Sequence, residues 1–128
     1  MGLFRGLLGH ASEVDITSVM PDVQHLLVQG EEVHYAYKLV RDLIIFTNLR
    51  LFTIDKQGLT GKKKSILSLS YDRISHFTME GAGHFDLDAE IDIWISGKQE
   101  PIRFEFRKGG HVQDVFRILS HYTLGSSY

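Results

Sequence analysis

A row of acidic side chains is the most regular polar feature of this sequence. Apolar residues occupy every odd position from 85 to 95, and polar residues occupy the even positions from 84 to 92, which predicts a strand over residues 85–95 with one apolar and one polar face. The polar positions are His84, Asp86, Asp88, Glu90 and Asp92. Carboxylate oxygens can bind a hard cation such as Ca²⁺ or Mg²⁺. A straight row of carboxylates diverges, however, whereas cation sites gather their ligands from loops that curl round the ion.

Ion pairing is the second interpretation of the same row. The next predicted strand alternates Ile102, Phe104 and Phe106 with polar residues, two of them arginines. In a hairpin, any register that pairs the two apolar faces also pairs the two polar faces. We therefore expect a charge ladder or a subunit interface here, and no metal site. The candidate interaction surface comprises His84, Asp86, Asp88, Glu90, Asp92, Arg103 and Arg107.

A basic segment is the second candidate site. Lys62, Lys63 and Lys64 follow a turn-rich stretch and lie close in sequence to Lys56. Together these four residues form a candidate loop for an anionic ligand, and each lysine near an anionic membrane would add about 1 kcal/mol of attraction. A peripheral membrane module is therefore an alternative function. It is not favoured, because the most regular polar face of the sequence is acidic.

Motifs for catalysis are absent from the sequence. There is no cysteine, and we find no HExxH zinc motif, no GxSxG nucleophile elbow and no phosphate-binding glycine loop. The net charge of −2 gives no basic surface for nucleic acid. We predict no catalytic residue, no cofactor and no nucleic-acid partner, and rank a carboxylate metal enzyme third among the functions. The lack of cysteine and of an apolar run of about 18 residues favours a cytoplasmic protein.

The N-terminal region carries two apolar patterns. Leu3, Phe4, Leu7 and Leu8 form a candidate contact with another subunit or with a membrane; the segment is too short and too rich in glycine for a signal peptide. An apolar stripe at spacings of three and four predicts helix from Ile16 to about Leu27. An alternative places Pro21 in the first turn of a shorter helix that ends at about Leu27. Residues 16–20 would then form a separate turn.

The rest of the chain predicts an antiparallel β domain. Seven short runs with tight connections, between residues 33 and 107, have the pattern of strands. Apolar residues from Val112 to Tyr122 form one face of a closing helix. The expected domain division is a helical N-terminal segment over residues 1–30, packed on the domain or on a neighbouring subunit. A mainly β domain then covers residues 31–124, and residues 125–128 are a tail.

Several motifs resemble the bacterial pleckstrin-homology (PH)-like domain family. Residues 42–51 (DLIIFTNLRL) are similar to its second hairpin, and further matches are DKQGLTGKK at 55–63, AGHFDLDAE at 82–90 and IWISG at 93–97. The start, with GLLG at 6–9 and ASE at 11–13, is similar as well. The resemblance implies a seven-stranded, strongly bent antiparallel sheet or partly open barrel, capped by the C-terminal helix. It also implies ring-shaped homo-oligomers, and it supplies no ligand.

These observations together predict a binding module. We expect a non-catalytic PH-like domain that acts as a homo-oligomer, with a second copy of itself as the partner and another protein as the alternative. Its function would then depend on an oligomeric surface, for which the acidic face and the apolar N-terminal segment are the candidates.

Overall fold

The computed structural model describes residues 16–39, 42–55, 65–81, 88–107 and 111–125 of the 128-residue chain. It contains the seven predicted strands and the closing helix. The elements are helix α1 (Ile16–Val23), a 3₁₀ turn (Gln24–Leu26), β1 (Val33–Lys38), β2 (Asp42–Thr47), β3 (Arg50–Asp55), β4 (Ser65–Ser70), a second 3₁₀ turn (Tyr71–Arg73), β5 (Ile74–Glu80), β6 (Ala89–Ile95), β7 (Ile102–Phe106) and helix α2 (Val112–Leu124).

The chain divides into two compact units, Met1–Ser68 and Leu69–Tyr128. Strands β1 to β4 form one sheet in sequence order, and β5 to β7 form a second sheet in sequence order. The strand pairs with an assigned register, β1–β2, β2–β3, β5–β6 and β6–β7, are all antiparallel. This is the arrangement that consecutive short strands joined by tight turns predict.

Helix α1 packs on the sheet of the first unit. Its buried residues Val19 and Val23 belong to an apolar cluster with Ala36, Leu43, Ile45, Phe52 and Ile54. Pro21 lies inside this helix, near its C-terminal end, so the prediction that Pro21 begins a second helix was wrong. Proline has no backbone N–H, so α1 lacks one of its hydrogen bonds. The loss affects only the end of the helix, which stops two residues later, and the apolar contacts of Val19 and Val23 keep α1 on the sheet.

Strand β1 is buried on both faces at its centre. Tyr35, Ala36 and Tyr37 are all buried, and the register shifts between Val33 and Tyr35. Side chains alternate between the two faces of a strand, so Ala36 lies on the face opposite the two tyrosines. Both faces of this strand are covered, so a small apolar residue suits the face that α1 packs against.

The second unit follows its sequence pattern closely. Ile91, Ile93, Phe104 and Phe106 are buried on one face of the sheet, as the alternation in β6 and β7 predicts. Helix α2 packs against that face: the Phe77 and Phe116 rings meet edge-on, with 4.9 Å between their centroids. Tyr71 and Tyr122 stack at 4.6 Å.

Strand β6 begins at Ala89, four residues later than predicted. Residues 82–87 lie outside the described part of the chain, and Asp88 is exposed just before the strand. Gly81 ends β5 with a φ of 86°, and a Cβ at this position would lie 2.5 Å from the Asp88 carbonyl oxygen. Only glycine fits this close approach of two backbone segments.

Candidate functional site

The polar face of the second sheet is the candidate site. It lies opposite the face that α2 covers, and we call it the outer face. The strand registers arrange its side chains in three rows across β5, β6 and β7. The rows are His76 with Trp94; Thr78 with Asp92 and Arg103; and Glu80 with Glu90 and Glu105.

The central row contains a two-point ion pair. Arg103 donates from Nε to Asp92 Oδ1 at 2.8 Å and from Nη2 to Asp92 Oδ2 at 3.0 Å. Its Nε also lies 3.1 Å from Glu90 Oε1. The hydrogen bond from Arg103 lowers the pKa of Asp92 and outweighs the opposing effect of burial, and the same bond raises the pKa of Arg103. Both groups therefore stay charged at neutral pH.

The glutamate row places three like charges on neighbouring strands. Glu80 is directly opposite Glu90, which is directly opposite Glu105. Like charges in directly opposed positions destabilise a sheet. Glu90 is close to Arg103, whereas Glu80 and Glu105 are exposed and make no ion pair with any described residue. Across the described ranges, no group of three His, Asp or Glu side chains has an arrangement suited to a metal ion.

An aromatic stack occupies the third row. The rings of His76 and Trp94 are nearly parallel, at 11°, with centroids 5.3 Å apart. Ser75 Oγ lies 3.1 Å from His76 Nδ1 and donates to the Trp94 carbonyl oxygen at 3.1 Å. The Trp94 indole Nε1 is buried and has no hydrogen-bond partner among the described residues. Neither His76 nor Trp94 was among the candidate residues predicted from the sequence.

The predicted interaction surface is therefore partly assembled. Glu90, Asp92 and Arg103 come together as the hairpin argument predicted. Asp88 precedes β6 and Arg107 follows β7, both exposed, so neither occupies a position in these rows. The remaining candidates lie outside the described residues: His84, Asp86, Leu3, Phe4, Leu7, Leu8, Lys56, Lys62, Lys63 and Lys64.

A second arginine–carboxylate pair, in the first unit, was missed from the sequence. The Glu31 side chain is fully buried. Arg50 donates to its two carboxylate oxygens from Nε at 2.9 Å and from Nη2 at 2.8 Å. The carboxylate also accepts from the Val28 backbone N–H at 3.0 Å and from Thr47 Oγ1 at 2.7 Å. Burial raises the pKa of Glu31, but these bonds together outweigh it and lower the pKa to about 2.

This pair joins the turn after α1 to the β2–β3 connection. Arg50 Nη2 donates to the Leu26 carbonyl oxygen at 2.9 Å, and its guanidinium lies 4.3 Å from the Phe52 ring centre. Asn48 bonds the same two segments, through Gly30 O and the Glu32 backbone N–H. Every carboxylate oxygen of Glu31 is used by the protein itself, so this cluster is structural. A glutamate and an arginine 19 positions apart carry no local sequence signal.

Comparisons with known proteins agree with this architecture. The family model of the bacterial PH domain matches residues 2–123. The chain is 47% identical over 121 residues to uncharacterized protein YjqA of Bacillus subtilis (strain 168), covering 94% of this chain and 97% of that protein. No helix in the described residues is long and apolar enough to cross a membrane.

Two solved structures are similar to this chain. One is a pleckstrin homology domain from Shewanella amazonensis SB2B, with 46% identity, a TM-score of 0.80, and coverage of 97% of this chain and 100% of that one. The other is a DUF1696 family protein with a pleckstrin-homology domain from Shewanella loihica PV-4. It has 40% identity, a TM-score of 0.75, and coverage of 88% and 97%.

Proposed function

This chain belongs to the bacterial PH domain family, and from that premise we propose that it is a non-catalytic binding and assembly module that acts as a homo-oligomer. The outer face of the second sheet is the surface through which it binds. The partner is a second copy of the chain, and repetition of the contact closes a ring. The cysteine-free sequence favours a cytoplasmic location.

The observation that supports this proposal is the pairing of an aromatic anchor with a two-point ion pair on a sheet face where His76, Thr78 and Arg103 are exposed. Trp94 and Arg103 are residue types that concentrate at the energetic centres of protein interfaces. Trp94 lies flat on His76, and its buried indole N–H has no described partner. A binding partner that approaches Trp94 would remove more of the indole ring from water.

A non-catalytic role is supported by how the charged groups are used. Asp92 and Arg103 bind each other, and both remain ionised at neutral pH. General acid–base catalysis needs a group whose pKa lies near the working pH, and the shifts in this pair run away from neutrality. The pair is therefore suited to fixing charges in place for recognition.

The test is to measure assembly directly. Multi-angle light scattering of the intact protein at micromolar concentration should give a mass of several chains. Trp94 is the single tryptophan, so its emission should shift to shorter wavelength as assembly buries the indole. Trp94→Ala should reduce the mass towards that of one chain.

The matched control is Leu124→Ala, which truncates an apolar side chain that is 72% exposed on α2, away from the outer face. It should leave the mass unchanged. A wild-type protein that stays monomeric at these concentrations would rule out the homo-oligomer.

A further inference from the structure

We propose that the edge of strand β5 that faces away from β6, called the β5 edge below, binds an extended segment of another protein. The segment pairs with β5 as a fourth strand of the second sheet. The β5 edge is separate from the outer face, so this inference goes beyond the proposed homo-oligomer and does not depend on it.

The position of β5 leaves part of its backbone available for pairing. The second sheet has the order β5, β6, β7, so β5 pairs with β6 on one side, and no described strand pairs with it on the other. Residues of an antiparallel strand direct their N–H and C=O groups alternately towards and away from a neighbouring strand. About half of the backbone groups of β5 therefore face away from β6, where a second extended chain can bond them.

The sequence of β5 lacks the features that usually protect a sheet edge. Charged side chains and proline discourage pairing with another chain. Strand β7, at the opposite edge of the sheet, follows Pro101 and alternates Arg103 and Glu105 with apolar residues. Strand β5 has no proline, lysine or arginine, and its one carboxylate, Glu80, is its last residue. Of the two edges, β5 is therefore the one suited to receive another strand.

Apolar side chains along this edge are incompletely covered. On the inner face, against which α2 packs, Ile91 and Ile93 of β6 are fully buried. Their neighbours across the register, Met79 and Phe77 of β5, are partly exposed. The Phe116 ring of α2 meets Phe77 edge-on and is itself partly exposed. An added strand would extend the apolar layer over these side chains, so hydrophobic burial would accompany the backbone hydrogen bonds.

The side of α2 next to the β5 edge carries small side chains. Ser120 and Thr123 lie on the same side of the helix as Phe116, because residues three and four apart are neighbours on a helix surface, and both are partly exposed. Their hydroxyls donate to the Phe116 and Leu119 carbonyl oxygens at 2.9 and 2.7 Å. A partner side chain can pack here without leaving these hydroxyls unsatisfied.

The register specifies the chemistry of the partner. Residues opposite Phe77 and Met79 would lie on the inner face and should be apolar, whereas the residue opposite Thr78 would lie on the outer side. Glu80 lies directly opposite Glu90, and a basic partner residue beside Glu80 would offset the repulsion of these like charges. An antiparallel partner therefore has the order basic, apolar, polar, apolar from its N-terminal end.

The second sheet of another copy does not offer this pattern. Strand β5 itself contains no lysine or arginine. In β7, Phe104 and Phe106 are buried within their own copy, and Arg103 already bonds Asp92. The pattern therefore points to a segment of a different protein.

A synthetic peptide with this pattern tests the inference. The probe is a fluorescein-labelled peptide in which one lysine is followed by alternating valine and threonine. Its fluorescence anisotropy should show saturable binding to the intact protein. A peptide with the valines and threonines exchanged directs valine to the outer side. It should bind at least about tenfold more weakly, a change equivalent to about 1.4 kcal/mol.

Methylation of the peptide backbone tests the hydrogen bonds. An N-methyl group removes an N–H donor, and alternate residues of a paired strand direct their N–H groups to the neighbouring strand. Two versions of the probe, methylated on alternate residues in opposite phase, should therefore differ: one should lose binding and the other should retain it. Equal affinity of the two versions would show that β5 does not pair with the probe and would overturn the inference.

Matched substitutions in the two edge strands locate the contact. Met79→Lys places an ammonium group on the inner side of β5, a change of the kind that protects sheet edges, and should weaken binding at least about tenfold. Ile102→Lys makes the same change on β7, at a partly exposed inner position opposite Ile93, and should leave the affinity unchanged. Equal losses in the two variants would contradict binding at the β5 edge. Circular dichroism compares their folding.

Exchange of charge at Glu80 provides a rescue. Glu80→Lys should weaken binding of the lysine probe and restore it for a probe that carries glutamate in place of the lysine. Because Glu80 is exposed, this variant reports on recognition and does not disturb packing. A variant that binds both probes as the wild type does would contradict the proposed register.

The outcomes separate this inference from the proposed function. A monomeric protein that binds the probe at the β5 edge would support this inference and rule out the homo-oligomer. An oligomer whose mass falls in Met79→Lys, with no binding of the probe, would show that a second copy covers the edge and would overturn the inference. Failure of the wild type to bind the probe at millimolar concentration, in either oligomeric state, would overturn it as well.

Discussion

Each unit has one described arginine–carboxylate pair joined by two hydrogen bonds, Glu31 with Arg50 and Asp92 with Arg103, and the two pairs have different surroundings. Glu31 is fully buried, its partner Arg50 is 23% exposed, and two further donors satisfy the carboxylate. Asp92 is 15% exposed, and its partner Arg103 is 53% exposed. The first pair joins two backbone segments inside one unit. The second lies on a sheet face with unpaired glutamates and an aromatic stack beside it.

This comparison shows that two hydrogen bonds between an arginine and a carboxylate do not by themselves decide whether the ion pair serves folding or binding. A buried pair loses much when one partner is removed, because the other charge is left out of water without compensation. An exposed pair loses little, because water and salt screen the remaining charge. We therefore expect Glu31 to be important for folding and Asp92 to be important for binding.

The largest effect should follow from Glu31→Gln. The amide keeps the shape of the side chain but leaves the Arg50 guanidinium without its counter-charge, which should lower the free energy of unfolding by about 3–4 kcal/mol. Chemical denaturation followed by circular dichroism measures the change. A loss below about 1 kcal/mol would place the Glu31 pair in the same class as the exposed one.

Acid should reveal the same pair through its pKa. The pKa of Glu31 is lowered from 4.5 to about 2 in the folded protein, so its stabilisation is complete above pH 4.5 and is lost as the pH falls towards about 2. Such a shift corresponds to about 3 kcal/mol. Unfolding free energies of wild type and Glu31→Gln, compared across this range, should converge at low pH. Parallel curves would show that Glu31 does not titrate with a lowered pKa.

Thr47→Val should have an intermediate effect. The Thr47 hydroxyl donates to Glu31 Oε2 and accepts from the backbone N–H groups of Leu49 and Arg50. Valine keeps the volume but leaves the Glu31 oxygen and the two N–H groups without this partner, at a cost of about 2 kcal/mol. Combining it with Glu31→Gln should cost less than the sum of the two, because both changes disrupt one network. Strict additivity would show that the two bonds act independently.

The smallest effect on folding should come from Asp92→Asn. Arg103 is 53% exposed, so water can solvate its charge when Asp92 is replaced, and the change should lower the unfolding free energy by at most about 1 kcal/mol. Its effect should appear in the light-scattering mass instead. A loss of folding stability as large as that of Glu31→Gln, with unchanged assembly, would reverse the roles that we assign to the two pairs.

The sequence predicted the second unit in detail. Alternation along residues 84–93 and 102–107 identified both strands, the buried Phe104 and Phe106, and the shared polar face on which Asp92 and Arg103 lie. Alternation determines these features because side chains on a strand point to opposite faces, and an apolar face can be buried in only one phase. The late start of β6 was not predicted. The close backbone approach of Gly81 and Asp88 leaves no trace in the pattern of polar and apolar residues, which was the only signal used for this strand.

Tertiary structure alone decided the Glu31 cluster and the aromatic stack. Glu31 and Arg50 are distant in sequence, and an ordinary charged residue before a strand predicts exposure; only the folded turn after α1 brings the carboxylate against the β2–β3 connection. Trp94 meets His76 because the β5–β6 register shifts between Ile74 and His76, and a pattern of period two cannot encode that shift. The sequence by itself determined which faces are apolar, because burial of apolar surface depends on local periodicity. The polar contacts could be identified only in the folded structure, because a hydrogen bond requires two particular groups to lie within bonding distance of each other.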